Sequence, residues 1–135
     1  VPQIGQLNPY LRVEGETFNA QSGVETESCR AGGMNLAEIH NGAWVKLVGV
    51  DFGTKGAKKF IASVASAEQG GMIELRLGGP AGKLLGTCKV ENTAGWQMWK
   101  EVSCDVSGAT GLQDLCLKFV GGARPLLNLD YWRFE

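Results

Sequence analysis

The sequence predicts an all-β fold, an antiparallel β-sandwich of the jelly-roll, lectin-like kind, and three observations carry that prediction. Glycine is over-used, with 20 residues in 135, and many of them fall in short clusters: "AGG" at 31–33, "QGG" at 69–71, "GGPAG" at 78–82 and "VGGA" at 120–123. Between the clusters lie short apolar runs, and regular turn signals between such runs mark a sandwich or barrel. No segment keeps a 3.6-residue apolar period over three turns. "NLAEIHNGAWVKL" comes nearest, but its "HNG" reads as a turn.

The elements follow in order. Residues 1–7 are expected as a linker remnant, and "NPY" at 8–10 as the entry to one domain, 8–135. "LRVEGETF" (11–18) alternates, with Leu11, Val13 and Gly15 on one side and Arg12, Glu14 and Glu16 on the other. "AWVKLVGVDF" (43–52) and "KKFIASVAS" (58–66) are the next strands. In "GMIELRLGG" Ile73, Leu75 and Leu77 point inward and Met72, Glu74 and Arg76 outward. "KLLGTCKV" (83–90) and "WQMWKEVSCDV" (96–106) flank a short loop. "LQDLCLKFV" (112–120) places Leu115, Leu117 and Phe119 on one face, and "LLNLDYWRF" (126–134) closes the domain. Alternation puts Trp96 and Trp99, three apart, on opposite faces, so that one packs in the core and the other is presented to solvent.

Size and composition bound the function. The chain is one domain in length, and 44% hydrophobic with 20% charged residues is ordinary for a globular protein. No apolar run approaches the ~20 residues of a membrane span. A net charge of -1 gives no basic footprint for nucleic acid, and nothing points to a membrane surface. The segment Val1–Gly5 does not read as a signal peptide, and a start at Val suggests a piece excised from a larger chain. The four cysteines, Cys29, Cys88, Cys104 and Cys116, show no CxxC spacing. Their even number fits disulfides in an exported protein and equally fits four buried thiols. Cys88 and Cys104 lie on two strands about the Trp96 loop, which suits a cross-strand disulfide. Cys116 pairs with Cys29 or stays free.

Catalytic signatures are missing. His40 is the lone histidine and sits in a turn, and no GxSxG, HExxH or GK[ST] occurs. Acidic residues can be paired on paper as a glycosidase acid and nucleophile, a reading that release of reducing sugar by the isolated domain would test. The acids near the two ends say more. Glu14 and Glu16 share a strand face, and Asp130 lies in the last strand. First and last strands of a sandwich often run side by side, so these carboxylates converge on a place suited to calcium, unless Glu14 and Glu16 are ordinary solvated strand residues.

Taken together, "NPYLRVEGETFNAQSGVETE", "GGMNLAEIHNGAWVKLVGVDFG", "GTCKVENTAGWQMWKEVSCDVSGATGLQDLCLKF" and "NLDYWRF" resemble the family 6 carbohydrate-binding modules, of the kind appended to xylanases and family 43 glycoside hydrolases. The resemblance implies a secreted, non-catalytic sandwich that docks an attached hydrolase onto plant cell-wall polysaccharide, with xylan or a related hemicellulose as first choice of ligand. It implies a structural calcium on Glu14, Glu16 and Asp130. It also implies a sugar site in loops at one end, with Trp96 as stacking platform, Asn128 as hydrogen-bonding partner, and Trp99 in the core. Departures are equally plain. Where the family carries a second aromatic this chain has Glu38, "NGDW" has become "NGAW" with Ala43, and Arg124 and Pro125 replace a "GYLF"-like loop. Glu38 either binds sugar hydroxyls or pairs with Arg124 and closes the cleft. A chain end, an arabinose branch or a β-1,3-glucan would each suit one platform plus a carboxylate. Some members use a second site on a sheet face, for which Trp44 and Gln21 match, with Glu74 and Arg76 pointing outward on a strand expected beside Trp44. A structural or protein-interaction sandwich with a decayed sugar site is the competing reading.

Overall fold

The computed structural model of the protein describes residues 6–135. The strands are β1 (Val13–Glu14), β2 (Ala20–Ser22), β3 (Glu25–Ser28), β4 (Met34–Ala37), β5 (Trp44–Asp51), β6 (Lys59–Ser66), β7 (Gly71–Leu77), β8 (Lys83–Val90), β9 (Gly95–Asp105), β10 (Leu112–Val120) and β11 (Asn128–Phe134). They form two antiparallel sheets. One runs β3-β4-β11-β6-β9, with β1 added against β11, and the other runs β2-β5-β10-β7-β8. The predicted sandwich is therefore the observed one.

The long strands form where the alternation said they would. Ile73 and Leu75 of β7 and Leu115, Leu117 and Phe119 of β10 are fully buried, and cross-strand pairs such as Leu117↔Leu75 and Phe119↔Ile73 stack them on one face. The opposite sheet contributes Phe60, Ala62, Val64, Leu129, Trp132 and Phe134. Phe52, Phe60, Trp132 and Phe134 pack with ring centroids 5.2–6.2 Å apart, mostly edge to face. Cross-sheet burial of this set closes the core.

Several expectations change. The first strand is only Val13–Glu14, because Thr17 N–H turns back to Glu14 O (2.9 Å). Strands β2, β3 and β4 carry too little apolar alternation to be read; β3 is "ETES", exposed throughout and held by pairing with β4. Of the leading segment 1–7, residues 1–5 lie outside the described residues. Leu7 belongs to the folded body, bonded to β5 through Leu7 N–H to Gly49 O and Asp51 N–H to Leu7 O, both 2.9 Å. The core tryptophan is Trp132, not Trp99, which is half-buried and outside the core cluster. The reason is a register jump: β9 pairs Lys100 with Val64 but Gly95 with Ser66, so extra residues bulge between 95 and 100 and simple alternation fails there. All four cysteines are thiols. Cys29 shares a hydrogen bond with Asp130 on one sheet, whereas Cys116 lies mid-strand in the other, between Lys46 and Arg76, so these two do not pair.

Candidate functional site

A cleft of about 170 Å³ opens at one end of the sandwich, lined by Glu27, Ala37, Glu38, Ile39, Trp96, Pro125, Leu127 and Asn128. It gathers the three residues expected of the loop site, Trp96, Asn128 and Glu38. Each is placed by a local device.

Trp96 follows a tight connection between β8 and β9. Asn92 Oδ1 accepts Ala94 N–H at 2.7 Å, the turn that Asn side chains favour. Ser66 and Thr93 clamp the same turn to β6, through Thr93 N–H to Ser66 O (2.8 Å) and Ser66 N–H to Thr93 Oγ1 (2.9 Å). Ala94 is left with φ of 73°, a conformation that costs an L-residue about 1–2 kcal/mol. Ala94→Gly is therefore expected to stabilise the module by about 0.5–1 kcal/mol, after allowing for the greater freedom of Gly in the unfolded chain, a rise of a few degrees in a thermal melt.

Asn128 is buried. Its Nδ2 donates to Trp96 O (2.8 Å) and to Glu27 Oε1 (3.1 Å). Both amide hydrogens are thus spent inside the protein, and Oδ1 is the atom left to meet a ligand, as an acceptor from a sugar hydroxyl. Glu27 holds this side of the cleft together. Its Oε1 also receives Asn35 Nδ2 (3.2 Å) and Gln97 Nε2 (3.3 Å), and Gln97 Nε2 reaches Asn35 Oδ1 (3.0 Å). Gln97 Oε1 in turn accepts Arg30 N–H (2.9 Å). Sequence reading missed Glu27, Asn35 and Gln97, since polar residues in strands look like surface. The one signal was Gln97 beside Trp96.

Glu38 stands on the other side. It has φ of 54°, is exposed, and makes no hydrogen bond or ion pair with the described residues. A strained, unpartnered acid in a cleft is a functional candidate. Arg124 does not close the cleft over it, because its guanidinium pairs with Glu68 at 2.8 Å instead. Trp96, Glu27 and Glu38 thus combine an indole surface with two carboxylates, a set suited to a polyhydroxylated ring: C–H groups against the indole and hydroxyls against the acids.

The sheet-face residues assemble less completely. Trp44, half-buried on β5, lies in a row with Lys118 and Glu74 across β10 and β7. Glu74 and Arg76 are bound to each other at 3.0 Å, and Arg76 also donates to Gly82 O (2.7 Å). Gln21 pairs with the core residue Val45, not with Trp44, which puts it on the opposite strand face, and its Oε1 accepts Val24 N–H. It does not join a site at Trp44.

Near the other expected site, β1 does run beside β11, with Val13 opposite Trp132 and Glu14 opposite Tyr131. A bulge between Leu129 and Tyr131 re-aims Asp130 into the structure, where it is 2% exposed. Gly15 N–H donates to Asp130 O (2.7 Å), and a Cβ at Gly15 would sit 2.7 Å from Leu129 O, so only glycine permits the approach. Burial pushes the Asp130 carboxyl above the ordinary carboxylate range, countered in part by Arg12, whose Nη2 lies 4.0 Å from Oδ2. Asp130 Oδ1 has no hydrogen-bond partner. That orphaned, desolvated oxygen fits a hard cation. Glu14, however, is drawn to Arg12 (3.0 Å), and no group of three or more such ligands is assembled among the described residues.

Comparison with known proteins places these observations. The sequence profile of the family described as "Carbohydrate binding module (family 6)" matches residues 14–135. The chain is 45% identical over 140 residues to an arabinoxylan arabinofuranohydrolase of Paenibacillus polymyxa, covering 99% of this chain and 22% of that enzyme. It thus spans about a quarter of the length of such curated relatives. A family 6 module from Clostridium cellulolyticum, solved in complex with xylose, superposes with a TM-score of 0.93 at 42% identity, over 96% of this chain and 99% of that one. A β-1,3-glucan-binding family 6 module from Bacillus halodurans superposes equally well, with a TM-score of 0.93 at 39% identity, over 96% and 98% of the two chains. The chain belongs to family 6 of the carbohydrate-binding modules.

Proposed function

We propose that this module binds a plant cell-wall polysaccharide in the Trp96 cleft and thereby holds an attached glycoside hydrolase on its substrate, with xylan or arabinoxylan as the preferred ligand. The observation that carries the reading is the open cleft that Trp96, Asn128, Glu27 and Glu38 line together. The family is one of binding modules, and the chain's place within it supports non-catalytic binding. Similarity to an arabinoxylan-active enzyme and to a module solved with xylose favours xylan. The cleft's small volume is below the ~300–1,000 Å³ typical of drug-sized pockets, so it suits about one sugar ring, a chain end or a branch. A β-1,3-glucan is the second reading, favoured by the similarity to the Bacillus halodurans module.

A pyranose stacked on Trp96 would exchange water for apolar contact, while Asn128 Oδ1 and the carboxylates accept its hydroxyl protons. Because Glu38 stands where the family usually has a second aromatic ring, the ligand would be gripped by one platform and by charge-assisted hydrogen bonds. Such bonds are stronger than neutral ones by about 1 kcal/mol. Glu38→Gln should therefore weaken binding about 5-fold without altering the melting temperature, as calorimetric titration would register. The sheet face at Trp44 is a lesser site in this reading. Calcium at Asp130, with Glu14 and Glu16 as further ligands, would neutralise a buried carboxylate and brace β1 against β11. Residence outside the cell follows from a polymeric cell-wall ligand.

Affinity gel electrophoresis of the isolated module tests the proposal, with xylan, arabinoxylan, β-1,3-glucan, mixed-linkage glucan and galactan in separate gels. Retardation by xylan or arabinoxylan is expected. Retardation only by β-1,3-glucan selects the second reading, and free migration in every gel removes sugar binding in favour of a structural or protein-interaction role.

A further inference from the structure

The last strands of the two sheets, β8 and β9, converge along one side of the sandwich. Ser107 N–H donates to Leu85 O at 3.0 Å, and the backbones approach so closely that a Cβ on Gly86 would lie 2.4 Å from Asp105 O. Gly86 and Cys88 are two apart on β8, so both point toward the facing sheet. Cys88 is fully buried, and Cys104, next to Asp105 on β9, is half-buried against the same core. Their side chains meet in a hydrogen bond. Opposite sheets, facing strands and touching thiols leave only a short closing movement between the pair.

We propose that Cys88 and Cys104 are a cross-linking site, joined by a disulfide that ties the two sheets together at the base of the arm carrying Trp96. The oxidant is a disulfide, either of a small thiol such as glutathione or of a thiol oxidoreductase. Cys104 attacks first, being the more accessible thiol, and the hydrogen bond from Cys88 holds its pKa below the ordinary thiol value. A mixed disulfide forms on Cys104 and one reagent thiolate leaves. Cys88 then attacks the Cys104 sulfur and releases the second thiolate. The protein loses two protons and two electrons, and the reagent disulfide becomes two thiols. The ring closed by residues 88–104 contains Ala94 and Trp96, so the bond limits the freedom of the Trp96 arm in the unfolded chain. Cys29 and Cys116, each in its own surroundings, remain thiols.

The experiment treats the fully reduced module with oxidised glutathione and compares it with the reduced form and with Cys104→Ser. Cleavage after lysine and arginine puts Cys88 in residues 84–89 and Cys104 in 101–118, and further cleavage before Asp105 and Asp114 separates Cys104 from Cys116. The expected result is one linked peptide pair containing Cys88 and Cys104, lighter by two hydrogens, with two of the four thiols still titrating. The melting temperature should rise on the order of 10 °C over the reduced form, from the entropy removed by closing a loop of this length. Cys104→Ser should show no rise on oxidation. Four titratable thiols after oxidation, a link involving Cys29 or Cys116, or an unchanged melting temperature in a linked protein would each overturn the proposal. The comparison of oxidised with reduced protein does not depend on any variant folding, nor on the sugar-binding reading.

Discussion

Trp96→Ala is expected to weaken polysaccharide binding by at least ~30-fold while leaving the fold intact. A sugar face laid on an indole buries on the order of 100 Å² of apolar surface, worth about 2 kcal/mol or more, which is ~30-fold in affinity. The fold should survive because Trp96 is half-buried and outside the core cluster, and because the bond it makes to Asn128 is through its backbone oxygen. Affinity electrophoresis would show the variant migrating as in a gel without polysaccharide, and circular dichroism would show an unchanged β spectrum. If the variant unfolded, the arm at 91–96 would have a structural role that its half-exposed position does not suggest.

The second large effect concerns the cation. Stripping calcium from the module with a chelator is expected to lower its melting temperature on the order of 10 °C. A ligand present at ~1,000 times its dissociation constant stabilises the folded state by about 4 kcal/mol, and a domain of this size gains several degrees for each. The basis is Asp130: a buried carboxyl with one oxygen lacking any partner is costly in the metal-free protein. Asp130→Asn should melt at the same temperature with or without calcium. Equal melting of the parent module in calcium and in chelator would leave Asp130 as a buried acid served only by Cys29 and Arg12.

What was legible in the sequence was the part fixed by alternation. Strands β7 and β10 announce themselves because Ile73, Leu75, Leu115 and Leu117 repeat every second position over a face that must be buried, and β5, β6, β8, β9 and β11 because they are apolar runs between turn signals. The short strands β2, β3 and β4 do not, since four exposed residues in "ETES" carry no period and gain their order from pairing. Alternation also misleads wherever the register breaks. It put one of Trp96 and Trp99 in the core, the family resemblance chose Trp99, and the β9 bulge leaves both half-buried. It gave no hint that Asp130 is buried, because a bulge in β11 turns it inward. In the candidate site, Trp96, Asn128 and Glu38 were named from motif positions. Glu27 was not, because its partners Gln97 and Asn128 lie 70 and 101 residues away along the chain, and only the folded sheet brings them together.

The most direct measurement is calorimetric titration of the module, Trp96→Ala and Trp44→Ala with a xylo-oligosaccharide or an arabinoxylan fragment. The expected result is one exothermic site in the parent module, lost in Trp96→Ala and kept in Trp44→Ala. Binding that persists in Trp96→Ala and disappears in Trp44→Ala would contradict the cleft as the working site and move recognition to the sheet face.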